Sequence, residues 1–448
     1  MTFRLFGTDG IRGTAGEYPL DPRTVRRVGA ALVRTLPDGA AGPPRMLIGR
    51  DTRESGTWIE GELASGAAGE GAVVSTLGVV PTPAVAYLSR VEDCDVGVVI
   101  SASHNPFADN GIKVFSGGGQ KFTAEVERSV EAAVEDVSWE PASAAPAPVP
   151  RGDLAARYVE HLGSVLHQVT LPPDLAITVD CANGATAAIG PDLLRSLGLQ
   201  TNVIGAAPDG RNINAACGST HSDAMAREVV RSGSALGVAF DGDGDRAIFA
   251  DEAGRIVDGD AVLLMCARQL KREGRLPKRA IVATVMSNIG LEMALGALGI
   301  DLIRCPVGDK YVMEEMLARG IALGGEQSGH IIFADYLFTG DGLCTALNVL
   351  RVMALTGRSL ADLASDLVTY PQVLLNVRVR ERTDLSTVPA VAAAIARVEE
   401  RVAGHGRLLV RYSGTEPLLR VMLEGREKDE IRAWAQEIVD VVAEHLGA

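Results

Sequence analysis

Three stretches of this chain repeat one pattern, and that pattern restricts the fold more than any other feature. MLIGRDTRESG (46–56), LAITVDCANGAT (175–186) and AIVATVMSNIG (280–290) each pass from an apolar strand through a polar turn into a helix start. Each is followed by a second apolar strand, VGVVI (96–100), LGVAF (236–240) or IALG (321–324). That strand ends in an unusual polar loop: SASHNP (101–106), DGDGDR (241–246) or GEQSGH (325–330). Residue identity between the copies is negligible, so the repeat is one of pattern. Strand–helix alternation of this kind implies α/β layers, and ligands of such sheets gather at the carboxyl ends of the strands. Three α/β units can therefore aim three loops at one cleft.

The rest of the chain divides around these units. WEPASAAPAPVPRGD (139–153) is too rich in Pro and Ala to continue a helix or join a central strand and reads as a linker. A second change comes near Tyr370, where an alanine- and leucine-rich helical stretch gives way to the alternating VTYPQVLLNVRVR. Two further strands around a Ser-Gly-Thr turn and a long helix over about Lys428–Leu446 follow. The expected domains are 1–150, 151–252, 253–368 and a smaller α+β domain over 369–448. A length of 448 residues accommodates them, and 47% apolar residues supply their cores. The formal net charge of -14 argues against a general nucleic-acid binder, which needs basic surface to displace counterions. An anion can still bind at a local cluster of Arg, Lys and backbone N–H groups. The six cysteines show no C-x-x-C spacing and read as buried thiols of a reducing compartment. With no secretory leader pattern and no run of about 20 apolar residues, the expectation is a soluble cytoplasmic protein without membrane contact.

DGDGDR carries the strongest local chemistry. Asp241, Asp243 and Asp245 can point one way while Gly242 and Gly244 let the backbone bend. Three carboxylates together imply a hard divalent cation, Mg²⁺ before Ca²⁺. In SASHNP, Ser103 reads as a nucleophile, a phosphate acceptor or an ordinary loop serine, the last being the commonest use of Ser beside Asn-Pro. Lys113 follows by ten residues and can fold back onto it. RYSGTEP offers Ser413 and Thr415 hydroxyls, a turn at Gly414, and the charges of Arg411 and Arg420: an anion cradle or a plain hairpin turn. Glu326 and Ser328 in GEQSGH suit the hydroxyls of a polar ligand, with His330 as a proton carrier. Arg12 in the tight turn FGTDGIRG suits a phosphate; Asp309 and Lys310 in VGDKYV suit a specificity loop or merely a helix start.

Taken in order, TDGIRG, SASHNP, DGDGDR, GEQSGH and RxSGTEP resemble the α-D-phosphohexomutase superfamily from end to end. Gln327, TVMSN (284–288) and PDGRNINAACGST (208–220) make the chain most similar to the bacterial branch that acts on glucosamine phosphates; Tyr412 departs from the family's usual Pro. The resemblance implies four domains around a central cleft, the last rotating to close it. It implies that Ser103 carries a phosphoryl group and joins the three aspartates in holding one Mg²⁺ per chain. His104 and Lys113 would steady that group or assist proton transfer, and Arg246 would neutralise charge. The distal phosphate would rest on Arg411, Ser413, Gly414, Thr415 and Arg420. The implied reaction interconverts glucosamine 6-phosphate and glucosamine 1-phosphate through glucosamine 1,6-bisphosphate, toward UDP-N-acetylglucosamine and the bacterial cell wall; mannose or glucose phosphates are the alternative substrates and a sugar-phosphate phosphatase the remote one. The expected partner is the phosphorylated hexosamine, and a homodimer is compatible with this reading.

Overall fold

The computed structural model describes residues 5–7, 9–37, 42–142, 146–413 and 417–448. They form two compact units, one of residues up to Met286 with Leu298–Asp366, the other of Ser287–Ala297 with Leu367–Ala448.

The first unit contains three mixed sheets. The first has strands β1 (Ile11–Thr14), β2 (Arg45–Arg50), β3 (Val73–Val79), β4 (Val96–Ile100), β5 (Asp109–Ser116) and β6 (Val149–Pro150) in the order β1-β5-β4-β2-β3-β6. The second has β7 (Ala176–Asp180), β8 (Gln200–Ile204), β9 (Leu236–Phe240), β10 (Ala247–Asp251) and β11 (Ile256–Val257) in the order β11-β10-β9-β7-β8. The third has β12 (Ala280–Thr284), β13 (Asp301–Cys305), β14 (Leu323–Gly325) and β15 (Ile331–Phe333) in the order β13-β12-β14-β15. Each sheet places a fully buried strand, β4, β9 or β14, parallel to its helix-connected neighbour and then pairs it antiparallel with the next strand in the chain. The connections across those antiparallel pairs are SASHNP, DGDGDR and GEQSGH. The threefold pattern is therefore one supersecondary unit used three times, and each polar loop is the corner at which the chain turns back on its own sheet.

The expected linker differs in part. Val149 and Pro150 pair in parallel with Ser75 and Thr76 as an edge strand of the first sheet. An edge tolerates the missing proline N–H, which a central position would not.

Helices Pro22–Arg34 and Gly56–Gly69 pack against each other beside the first sheet. The first starts at Asp21, whose carboxylate accepts from the Thr24 N–H (3.0 Å). Glycine lets the two backbones touch. A Cβ on Gly29 would lie 2.1 Å from the Leu63 carbonyl oxygen, and one on Gly66 would lie 1.9 Å from that of Arg26. All six cysteines are buried and free, and no helix among the described residues is long and apolar enough to cross a membrane.

The second unit is a three-stranded antiparallel sheet, β16 (Gln372–Arg378), β17 (Arg407–Tyr412) and β18 (Leu418–Glu424), with β18 central. Helices Pro389–Val402 and Lys428–Leu446 bury Val391, Val398, Ile431 and Ile438 with Val373, Leu419 and Val421 of the sheet. Helix Ile289–Ala297 belongs to this unit through the segment before it: Asn288 Nδ2 donates to the Tyr370 carbonyl (3.0 Å), and Arg407 donates to Glu424 (2.8 Å) and to the Ser287 carbonyl (3.1 Å). The end of TVMSN is thus a structural attachment.

Gly66→Ala tests the helix crossing. The added methyl meets backbone, which cannot rotate away, so the loss should reach the upper end of the usual overpacking range of about 1–3 kcal/mol. It should appear as a lower thermal midpoint with turnover per folded molecule unchanged.

Candidate active site

The Ser103 loop is held in a conformation its sequence does not favour. Ser103 has φ 52, a left-handed geometry that costs a non-glycine residue about 1–3 kcal/mol. The peptides on both sides are pinned. On the amino side, the Ser103 N–H donates to Ser101 Oγ (2.8 Å) and the Ser101 hydroxyl donates to Asp51 Oδ2 (2.6 Å). On the carboxyl side stands Arg53, whose side chain is wholly buried and ion-paired with Asp51 at 2.8 Å. Its guanidinium donates to the carbonyls of Ser103, Asn105 and Asp109, each at 2.9 Å, and to that of Pro106. Ser101 is consumed by this framework. Ser103 Oγ instead donates to Asp241 Oδ2 (2.5 Å) and lies 3.1 Å from His104 Nδ1.

Asp241 belongs to a buried cluster with Asp243 and Asp245, whose ligand atoms lie within 4.8 Å of one another. Asp241 Oδ1 accepts from the Arg246 N–H (3.1 Å). Asp243 Oδ2 accepts from the Thr82 hydroxyl (2.6 Å), while the Thr82 N–H donates to the Asp243 carbonyl (2.8 Å). The Lys113 ammonium, on β5, reaches Asp243 (2.8 Å), Asp245 (2.9 Å) and Asp9 (3.1 Å). Burial opposes its charge, but these three carboxylates hold its pKa well above the usual lysine range. One lysine does not balance the cluster. Burial and the charges of Asp245 and Asp243 push the Asp241 carboxyl well above its usual range. Asp243 Oδ1 and Asp245 Oδ1 are buried with no hydrogen-bond partner among the described residues. Buried carboxylate oxygens that take no hydrogen bond, beside a third carboxylate and a serine oxygen, form an all-oxygen donor set, which fits a hard divalent cation.

GEQSGH supplies another wall. Arg246 and His330 form an antiparallel bridge, and the Ala247 N–H donates to the Gly329 carbonyl (3.1 Å), which stitches the second loop to the third. His330 accepts the Gly340 N–H on Nε2 (3.0 Å), leaving Nδ1 toward Asp245 at 3.6 Å. Glu326 accepts from the Gly308 N–H (3.2 Å), so the start of helix Asp309–Arg319, which Asp309 and Lys310 open, is tied to this loop. Asp309 pairs with Lys121, and Lys310 with Glu127 (2.7 Å). Arg12 pairs with Asp9, which also takes Lys113 and Lys121. Ser328 is exposed on the loop. Gln327 donates to Asp258 (3.0 Å), the cap of helix Gly259–Arg272, and so serves the scaffold. His104 is half-buried. That burial, followed by the charges of Arg246 and Arg12, lowers its pKa to about 4, so the ring is neutral at neutral pH.

In the second unit Arg411 and Arg420 face each other across the β17–β18 ladder. Like charges in that position repel, and burial together with Arg420 depresses the Arg411 pKa. Such a pair suits an anion. Ser413 lies beside it, 3.5 Å from Arg420, with its carbonyl accepting from Arg382 (2.7 Å). Tyr412, at the departure from proline, ties this strand end to the Thr383 carbonyl (2.6 Å). Gly414 and Thr415 lie outside the described residues.

Asp9, Arg53, Thr82 and Lys121 hold the site and were not among the residues the sequence singled out. Only Arg53 carried a usable signal: a charged D-x-R placed directly after a buried strand.

Comparison with known proteins agrees with this architecture. Residues 4–140, 156–254, 258–370 and 374–441 match, respectively, the alpha/beta/alpha domains I, II and III and the C-terminal domain described as phosphoglucomutase/phosphomannomutase. The chain is 48% identical to a phosphoglucosamine mutase of Solibacter usitatus over 448 residues, 100% of both chains. It is 44% identical to that of Syntrophotalea carbinolica over 451 residues, 100% of this chain and 99% of the other. Among solved structures, a phosphoglucomutase/phosphomannomutase family protein of Burkholderia thailandensis aligns with TM-score 0.81 at 23% identity, covering 98% of this chain and 97% of that one. An N-acetylphosphoglucosamine mutase of Aspergillus fumigatus, in complex with GlcNAc-6P and magnesium, aligns with TM-score 0.65 at 19% identity, covering 99% and 96%. Four domain matches in order and relatives this similar over the full length show that the chain belongs to the phosphoglucomutase/phosphomannomutase family.

Proposed function

We propose that this chain interconverts glucosamine 6-phosphate and glucosamine 1-phosphate, with Ser103 as phosphoryl carrier and glucosamine 1,6-bisphosphate as intermediate. The observation that carries the reading is the Ser103 hydroxyl, 2.5 Å from a carboxylate of the buried aspartate cluster. The substrate class rests on the full-length phosphoglucosamine mutase relatives.

Transfer breaks the bond from phosphorus to Ser103 Oγ and forms one to the free sugar hydroxyl. The hydroxyl's proton is the one the serine oxygen regains, and His104, neutral and 3.1 Å from Oγ, is placed to relay it. The reverse transfer, after the bisphosphate turns over, restores the phosphoserine. Asp241, Asp243, Asp245 and the Ser103 oxygen would hold one Mg²⁺, whose chemistry is neutralisation of charge on the phosphoryl oxygens. Lys113, Arg246 and Arg12 add fixed positive charge around the same oxygens. Glu326 and Ser328 take sugar hydroxyls. Asp309 reads the second sugar position, with Lys310 bracing this helix start through Glu127. Arg411, Arg420 and Ser413, with Gly414 and Thr415, anchor whichever phosphate is not reacting. The sugar phosphate then enters UDP-N-acetylglucosamine and cell-wall precursor synthesis.

The deciding experiment compares glucosamine, mannose and glucose 6-phosphates as substrates of the wild type and of Ser103→Ala, with the matching 1,6-bisphosphate as activator. The wild type should show its highest kcat/KM with the glucosamine ester and carry phosphate on Ser103 by peptide mapping. Ser103→Ala should fold and not turn over. Phosphate on Ser101, or near-normal turnover of the variant, contradicts the assignment.

Arg411→Ala should raise KM for the 1-phosphate and the 6-phosphate alike. Truncating one partner of a desolvated charge pair costs about 2–5 kcal/mol, a loss of tens- to thousands-fold. Impairment with one monophosphate alone would show that the two orientations use different anchors.

A further inference from the structure

We infer that the segment 208–218, PDGRNINAACG, is a strut that holds the phosphoryl-carrying loop in register with the aspartate cluster, and that Asn214 is its positioning residue. This rests on the reading of Ser103 as carrier.

The segment follows β8 of the second sheet and reaches the first. The Glu54 N–H donates to the Gly210 carbonyl (3.0 Å) and Arg211 donates to Glu54 Oε2 (2.8 Å). Beyond these surface ties, Asn214 is 7% exposed and its Nδ2 donates to the carbonyls of Ser103 (2.9 Å) and Asn105 (3.2 Å). Only the NH₂ side of an amide can face two carbonyl oxygens. The Asn214 backbone is itself left-handed, φ 58, and its N–H donates to the Ala182 carbonyl in the turn after β7 (2.9 Å).

Arg53 already donates to the same two carbonyls, so the second donor does something Arg53 cannot. Arg53 belongs to the first sheet and moves with the Ser103 loop; it fixes the loop's shape and not its distance from the aspartates. Asn214 belongs to the sheet that carries the aspartates, so its hydrogen bonds close a link between the two loops. Gly242 of DGDGDR completes the contact. A Cβ there would lie 2.6 Å from the Ser103 carbonyl oxygen and 2.9 Å from Asn214 Nδ2. The metal-loop backbone, the Ser103 carbonyl and the Asn214 amide therefore pack with no room for a methyl group. The spacing between Ser103 Oγ and Asp241 is set across this packed trio.

Two substitutions separate positioning from general stability. Asn214→Gly keeps the left-handed backbone and removes the amide; Asn214→Asp keeps the shape and turns an acceptor toward two acceptors. Each is assayed as full chain with Mg²⁺ and glucosamine 1,6-bisphosphate for the rate at which Ser103 gains phosphate by intact mass, and with glucosamine 6-phosphate for kcat and KM. Hydrogen exchange over 101–108 reads loop order independently of activity. The expected result is a fall of about tenfold or more in kcat and in Ser103 phosphorylation, larger for Asp, with KM within about twofold and faster exchange over 101–108. Wild-type kcat and wild-type exchange in Asn214→Gly would overturn the inference, as would a rise in KM at unchanged kcat. A wild-type enzyme that takes no phosphate on Ser103 would instead overturn the carrier reading.

Discussion

Carboxylates gathered where water is excluded repel one another strongly: two unit charges 4 Å apart in an effective dielectric of about 20 interact by roughly 4 kcal/mol. Asp241, Asp243 and Asp245 accept that arrangement, and Asp9 joins them through Lys113. The surrounding structure answers this charge in stages. Lys113 is buried against three of the four carboxylates, the Arg246 and Thr82 N–H groups bind the loop, and the Ser103 hydroxyl takes the remaining oxygen of Asp241. Two carboxylate oxygens are left without hydrogen-bond donors among the described residues. The site is preorganised for positive charge.

That charge distribution can be built because three sheets make the same corner. A buried strand flanked by a parallel neighbour and an antiparallel partner brings its polar turn to the strand's carboxyl end. The second turn meets the first through Ser103 Oγ and Asp241 and the third through the Ala247–Gly329 backbone pairing, while Thr82, at the helix start after β3, holds Asp243. Precision then comes from side chains far apart in sequence. Arg53 and Asn214 converge on the Ser103 carbonyl from two sheets and offset the left-handed geometry that aims Oγ at Asp241.

These two layers were not equally legible in the sequence. The corner loops were, because each follows an apolar strand directly, and because Asp241, Asp243 and Asp245 alternate within one loop. Lys113 stood out as the lysine one strand beyond Ser103, although its ammonium pairs with Asp243, Asp245 and Asp9, and Arg411 and Arg420 stood out as two charges that one hairpin brings opposite. Thr82 and Asn214 were not, since each works on a loop in another part of the chain and has an unremarkable local context; Arg53 left only the D-x-R that follows its strand. Val149–Pro150 misled in the other direction: composition marks a linker, whereas the vacant edge of β3 accepts it as a strand. Gln327 and the end of TVMSN, informative for resemblance, serve the scaffold by holding a helix cap and the start of the second unit.

The most direct test of the account follows a labelled phosphoryl group through one turnover. Enzyme carrying isotopically labelled phosphate on Ser103 is mixed with glucosamine 6-phosphate in the presence of Mg²⁺ and quenched within the first turnover. The account predicts that the label leaves Ser103 for the sugar and appears in the 1,6-bisphosphate. Release of the label as inorganic phosphate, with none on the sugar, would contradict it and make the serine part of a hydrolase.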